Sequence, residues 1–181
     1  MKGEIFNLIK SDFIRYGQKP TMGNILLSVL RGKNHCFSYS FWLRLSNSKS
    51  IFRYAARFMY KRLSVKHGLQ IHYITKIGHG LFIGHGIGIV VHKTTIIGNN
   101  CNLSQFTTIG ANDGKAAVIG DNVYIGPSVC LIENVHIGNN VTIGAGAVVT
   151  KNIPPNATVA GVPAKILSYE NPGRYIRNRY V

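Results

Sequence analysis

Acidic residues are scarce in this chain: six Asp and Glu stand against 21 Lys and Arg in 181 residues, a net charge of +15. Cysteine is rarer still. Cys36, Cys101 and Cys130 are an odd number without close spacing, which argues against a disulfide framework, supplies no metal motif, and leaves three small buried apolar residues. The first residues carry no secretory-signal pattern, so a reducing cytoplasm is the expected compartment. No apolar run reaches the roughly 20 residues that a membrane-spanning helix needs. The 45% hydrophobic content is nevertheless ample for a core and argues against disorder.

The charge is unevenly placed. Residues 1–67 hold thirteen Lys and Arg against two acids, residues 68–164 four against three, and residues 165–181 four against one. No recognition motif for nucleic acid accompanies the basic ends, so none is expected as a partner. In "SFWLRLSNSKSIFRYAARFMYKRL", Arg53, Arg57 and Lys61 recur at i+4 and predict one basic helical face, with Phe52, Ala55, Ala56 and Met59 around the other. Such a helix suits capping a core with its basic face in water, and it equally suits lying on an anionic membrane surface.

Between the basic ends runs a repeat. Val65, Ile71, Ile77, Ile83 and Ile89 are spaced by six; the ladder resumes, after two extra residues, at Ile97, Leu103 and Ile109. A second break at Ala111 to Lys115 precedes Ile119, Ile125, Leu131, Ile137, Ile143 and Val149. Six is a multiple of two and not of about 3.6, so strands keep these side chains on one face where a helix would scatter them. Gly residues and the pairs Asn99-Asn100 and Asn139-Asn140 predict tight turns at positive φ. The pattern is satisfied by three short strands per coil of about 18 residues, coils stacking in parallel.

The pattern aliphatic-Gly-x-x-small-x resembles the hexapeptide repeat of left-handed β-helix acyltransferases over residues 65–167. "GHGIGIVVHKTTIIGNNCNLSQFTTIG" and "AGVPAKIL" are most similar to the serine acetyltransferase branch and its sugar-acetylating relatives. The expected architecture is therefore an all-β repeat, a left-handed parallel β-helix, with a basic, mainly helical region over 1–64 and a basic tail over 168–181. The resemblance further implies acetyl-CoA as cosubstrate, no metal, and a homotrimer with the donor in a groove between neighbouring β-helices.

The same resemblance makes His85, at the start of "HGIGIVV", the catalytic histidine, and an imidazole is well suited to accept the proton of an attacking hydroxyl near neutral pH. Such a base needs an orienting partner. The family's aspartate, fifteen residues earlier, is here Gln70, which leaves Gln70, His67 or a backbone carbonyl for that task; His67 precedes His85 by one expected coil length. The histidines at 72, 79, 85 and 92 are spaced by seven, six and seven, which does not predict one column of rings and argues against a zinc site like that of the carbonic anhydrases of this fold. For the donor, the resemblance points to Gly126, Gly144 and Ala145, to Gly161 in the closing segment, and to Lys151 and Lys165 near the CoA phosphates. Pro127 lacks an N–H where an amide contact is expected. Asn112 and Lys115, in the loop that breaks the ladder, are candidates for the acceptor.

The branch's acid before the histidine is replaced by Gly84, and its Arg-His turn by a shorter one with Ala116 and Ala117. A shallow site without a charged grip suits a neutral polyhydroxyl acceptor. The leading expectation is thus acetyl transfer to a sugar or polysaccharide intermediate at the cytoplasmic face of the membrane. The rivals are serine O-acetylation and a trimeric scaffold without catalysis.

Overall fold

The computed structural model describes residues 2–32, 34–112 and 114–181. Four helices come first: α1 (Lys2–Arg15), α2 (Met22–Arg31), α3 (His35–Ser46) and α4 (Arg53–His67). Their ends follow local chemistry. Thr21 caps α2 by accepting the Asn24 N–H at 3.2 Å, Asn34 caps α3 through Phe37, and Gly32 and Gly68 end α2 and α4 in the left-handed region. Nine of the twelve residues of α3 are buried, so it is the axis of the cap, with the other helices and the first coil packed around it.

Beyond Gly68 the chain winds through about four coils of short strands. Sheet A stacks β1 (Gln70–Ile71), β4 (Val90–Val91), β7 (Thr108–Gly110), β10 (Cys130–Ile132) and β13 (Val148–Val149). Sheet B stacks β2 (Lys76–Ile77), β5 (Ile96–Ile97), β8 (Val118–Ile119) and β11 (His136–Ile137). Sheet C stacks β3 (Phe82–Ile83), β6 (Asn102–Leu103), β9 (Tyr124–Ile125), β12 (Thr142–Ile143) and β14 (Thr158–Ala160), and β15 (Lys165–Ser168) closes it antiparallel. Inward aliphatics such as Ile71, Val91, Ile109, Leu131 and Val149 form the dry column that the six-residue ladder predicts.

Two details of that ladder are corrected. Val65 is an exposed residue of α4 rather than the first rung. The two extra residues lie between Ile83 and Val91, not between Ile89 and Ile97, because Val91 is the residue that pairs with Ile71. The first coil therefore advances from Gln70 to Val90, twenty residues, whereas the step from Val90 to Thr108 is eighteen. The second break is the loop after β7, at the expected place. At the turns from sheet B to sheet C, Asn100, Asn122, Asn140 and Asn156 all have φ between 54° and 67°. The Asn122, Asn140 and Asn156 amides are joined by hydrogen bonds of 3.1 and 3.0 Å.

Among the described residues one ion pair ties two helices of the cap together at its seam with the solenoid. Arg44 of α3 donates from Nε and Nη2 to the two oxygens of Asp12 of α1 at 2.9 and 3.0 Å, both side chains being buried. The remaining valences are filled across the seam. Arg44 also donates to the Ile77 and Gly78 carbonyls at 2.7 Å, and Asp12 accepts from Ser40 and from the Leu81 N–H. A buried pair repays its desolvation only when fully hydrogen-bonded in this way.

The outer face of α4 differs from the predicted one. Ala56 is buried and Arg57 lies inward, its guanidinium 4.4 Å from the Tyr73 ring centre and donating to the Ser46 carbonyl, while Phe52 and Phe58 are exposed. The small Ala56 and the ring and carbonyl at the solenoid end draw that face in. The tail beyond Ser168 is docked rather than free: Tyr180 exchanges two hydrogen bonds with the Asn100 side chain and stacks on His79, and Arg15 donates to the Arg177 carbonyl at 2.9 Å.

Replacing Asp12 by Ala leaves Arg44 buried without its counter-charge and is expected to lower unfolding stability by about 3–5 kcal/mol, read from denaturant midpoints. A loss below about 1 kcal/mol would show that the pair does not hold the cap.

Candidate active site

The turn from β3 to β4 carries His85. With φ at 57° and its ring exposed, His85 opens the segment lengthened by the two extra residues. The turn is backed by α3: a Cβ on Gly86 would lie 2.7 Å from Cys36 Sγ and 3.0 Å from His35 Nε2, so only glycine fits there. Gly88 donates to the His67 carbonyl at 3.1 Å.

Because the coil has twenty residues, His67 lies beneath Gly88 rather than beneath His85, and the eighteen-residue stacking expected of it is corrected. Its ring stacks on His35 with centres 4.5 Å apart. Burial, then the neighbouring His35 and Lys66, pull the His67 pKa below the usual histidine value. Gln70 opens β1 and pairs with Val90, which opens β4, so it sits at the sheet edge that the His85 turn enters. Among the described residues no side-chain hydrogen bond joins His85 to Gln70, His67 or any other group.

Above His85 the same edge is built from successive turns, Gln105-Phe106, Pro127-Ser128 and Ala145-Gly146. They are linked by N–H to carbonyl bonds from Phe106 to Ile87, Ser128 to Gln105 and Gly146 to Pro127, at 3.0, 2.9 and 2.8 Å. The rise is about 4.8 Å per coil. Gly161 continues the line, accepting from the Val148 N–H. His85, Gly126, Gly144, Ala145 and Gly161 thus share one edge, and Lys165 on β15 stands exposed near its far end.

The two glycines that the resemblance assigns to the donor also have a packing role. A Cβ on Gly126 would come within 2.8 Å of the Ile143 carbonyl, and one on Gly144 within 3.0 Å of Ala160 Cβ. Open space instead fronts Gly146, where an added Cβ meets nothing within 4 Å. Lys151, Asn112 and Lys115 are not brought to this edge: Lys151 follows β13 and the other two follow β7, at the opposite border of sheet A. Asn112 there donates its N–H to Glu133. Sequence reasoning missed His35 and Cys36, which back the His85 turn across about fifty residues without any local signal.

A coiled ladder of hexapeptides with one exposed histidine at the head of an edge of open turns defines a hexapeptide-repeat solenoid. Comparison with known proteins agrees. Residues 116–151 match the family described as Bacterial transferase hexapeptide (six repeats). Serine acetyltransferase of Escherichia coli (strain K12) is 38% identical over 120 residues, 64% of this chain and 44% of that protein. The crystal structure of Neisseria gonorrhoeae serine acetyltransferase in complex with serine superposes with a TM-score of 0.72 at 32% identity, covering 90% of this chain and 69% of that one. A serine acetyltransferase in complex with CoA superposes at 0.65 and 28% identity over 90% and 68%. The chain belongs to the serine acetyltransferase family. It spans less than half the length of the curated relatives from Synechococcus elongatus and E. coli, 43% and 44%.

Burial pushes the Cys36 thiol up to about 11 and the Cys101 thiol up to about 12. Both are protonated in the fold beyond the pH at which they would ionise unfolded. Their contribution to stability is complete below about pH 9 and is lost as pH climbs through 11 to 12. Native labelling at neutral pH is expected to modify the half-buried Cys130 first and to spare the other two until unfolding, read by mass spectrometry. Equal labelling of all three would contradict this burial.

Proposed function

We propose that the chain is an acetyl-CoA-dependent O-acetyltransferase in which His85 is the general base. The observation that carries this reading is the position of His85: exposed, at the head of an edge whose later turns present the small residues Ala145 and Gly146. The imidazole lone pair takes the hydroxyl proton as the oxygen attacks the thioester carbonyl. The tetrahedral intermediate collapses with loss of CoA thiolate, and the imidazolium returns the proton to the sulfur. With no carboxylate on its ring, His85 is oriented by its turn, which Gly86 and Gly88 hold against α3 and the His67 carbonyl.

The acceptor best supported by the comparisons is L-serine, since the relatives above are serine acetyltransferases and one is solved with serine. That support outweighs the sugar acceptor placed first by sequence. One observation still favours a neutral sugar hydroxyl as second reading: among the described residues no carboxylate stands in the His85 turn to meet an ammonium. Asp12 is paired with Arg44, Asp121 accepts from the Asn99 N–H, and Glu133 from Asn112. A homotrimer belongs to the proposal: Asn112 and Lys115 lie across sheet A from His85 within one chain, so their candidacy for the acceptor calls for a neighbouring copy. No helix among the described residues is long and apolar enough to cross a membrane. Peripheral contact with an anionic membrane through the basic helical cap is supported by the exposed Phe52 and Phe58 beside Lys61 and Arg62.

The test is release of CoA thiol from acetyl-CoA with L-serine in one series and neutral sugars in another. His85→Ala is expected to lower turnover by about 10²–10⁴-fold with an unchanged melting temperature. Parental turnover in the folded variant would exclude His85 as the base and leave the scaffold reading.

A further inference from the structure

The turns above His85 share one backbone conformation. Phe106 donates its N–H to the Ile87 carbonyl, Ser128 to that of Gln105 and Gly146 to that of Pro127, so Gly88, Phe106, Ser128 and Gly146 occupy one place on successive coils. All four have positive φ, at 64°, 58°, 57° and 69°. Glycine adopts that backbone freely, but a bulky residue is an outlier there. Phe106 is thus the member of the column that the turn itself disfavours. Strain of this kind persists where packing or function requires the side chain.

Packing accounts for part of the ring. It comes down over the His85 turn: a Cβ on Gly88 would meet Phe106 Cδ1 at 2.6 Å and Cε1 at 2.9 Å, so Gly88 leaves the room that the ring takes. Yet Phe106 remains 54% exposed, and Ile87, the residue before Gly88, 49% exposed. An aromatic ring and a branched aliphatic side chain therefore form an apolar shelf in solvent, Ile87 lying two residues from the exposed His85. The turns that build it, residues 84–88, 104–107 and 126–128, contain no Lys, Arg, Asp or Glu.

The ligand that fits such a shelf follows from its chemistry. An ammonium is attracted to an aromatic face, best to Trp, but gains nothing from an exposed isoleucine. A pyranose offers the matching surface, since its axial C–H groups make one face apolar while its hydroxyls stand at the rim. Burying that face on Phe106 and Ile87 removes apolar surface from water on both sides. We propose that Phe106 is a specificity-determining residue, its exposed ring the platform on which the C–H face of a pyranoside acceptor lies with a rim hydroxyl at His85. The inference rests on the acetyltransferase reading and sides with its sugar acceptor, but binding to the platform is measured without turnover.

Full-length protein with ¹³C-labelled phenylalanine rings is titrated with methyl β-glucopyranoside and methyl β-galactopyranoside, and with glycerol and L-serine as acyclic controls. A saturable shift of the Phe106 ring with a pyranoside, and none with the controls, is expected. Phe106→Asn suits a φ of 58°, as Asn122 and Asn140 show at the turns from sheet B to sheet C, so its melting temperature should not fall. This variant should bind the pyranoside at least about tenfold more weakly, and Phe106→Trp should restore binding. In CoA-thiol release, Phe106→Asn should raise the KM for the pyranoside by the same factor and leave the KM for acetyl-CoA unchanged. No shift with either pyranoside, an equal shift with glycerol or L-serine, or a KM change confined to acetyl-CoA overturns the proposal while leaving His85 catalysis standing. A changed molecular mass of Phe106→Asn by light scattering overturns it as well, because the ring would then belong to a contact between copies. Phe106 shifts without any acetyl transfer would uphold the pyranoside platform and overturn its acceptor role together with the transferase reading.

Discussion

The structure depends on register. In a solenoid of two- and three-residue strands, stability comes from each inward aliphatic resting on its equivalent one coil away, and a slip of one residue turns the whole set outward. Ile71 under Val91 under Ile109 under Leu131 is one such column. A sequence that departs from the eighteen-residue coil must expel the excess into a turn. The chain does this twice, with two extra residues in the His85 turn and four in the loop after β7. The candidate base and the loop carrying Asn112 and Lys115 are thus both located where the repeat overflows, on opposite borders of sheet A. Function sits in the irregular part because the regular part has no freedom to give.

The second constraint is the open end. A parallel solenoid leaves its first coil with unpaired backbone groups and an uncovered apolar column. Here the cap covers them: Tyr16, just after α1, takes both polar groups of Ile83, while α3 supplies Tyr39, which hydrogen-bonds the Ile71 N–H, and Arg44, which takes the Ile77 and Gly78 carbonyls. The same α3 puts His35 and Cys36 under Gly86. The cap therefore ends the solenoid and sets the floor of the His85 turn, coupling stability of the seam to geometry at the site. At the other end β15 reverses direction against β14, and the tail returns along the asparagine turns to the cap.

Much of this was legible in the sequence. A six-residue aliphatic period read the coil, the Asn pairs read turns at positive φ, and the segment around His85 marked one of seven histidines. What stayed hidden was register at the first overflow. Ile89 continues the six-residue spacing and is buried, yet it lies in the turn, and only strand pairing shows that Val91 is the rung. From that one misreading came the expected stacking of His67 beneath His85. The inward side of α4 was hidden for another reason: helical periodicity separates two faces but cannot say that a carbonyl and a tyrosine ring wait for Arg57. Long-range contacts such as Gly86 with Cys36 have no sequence signature.

The central claim is that the two-residue overflow puts His85 in place for catalysis, and deleting Ile87 and Gly88 tests it most directly. The deletion restores an eighteen-residue coil and a turn of the length found between β6 and β7, so the inward column has no reason to break. The measurement is acetyl-transfer turnover of the deleted chain beside its melting curve. A cooperatively folded protein with turnover reduced at least a hundredfold is the predicted result. A folded protein that transfers acetyl at the parental rate would contradict the account.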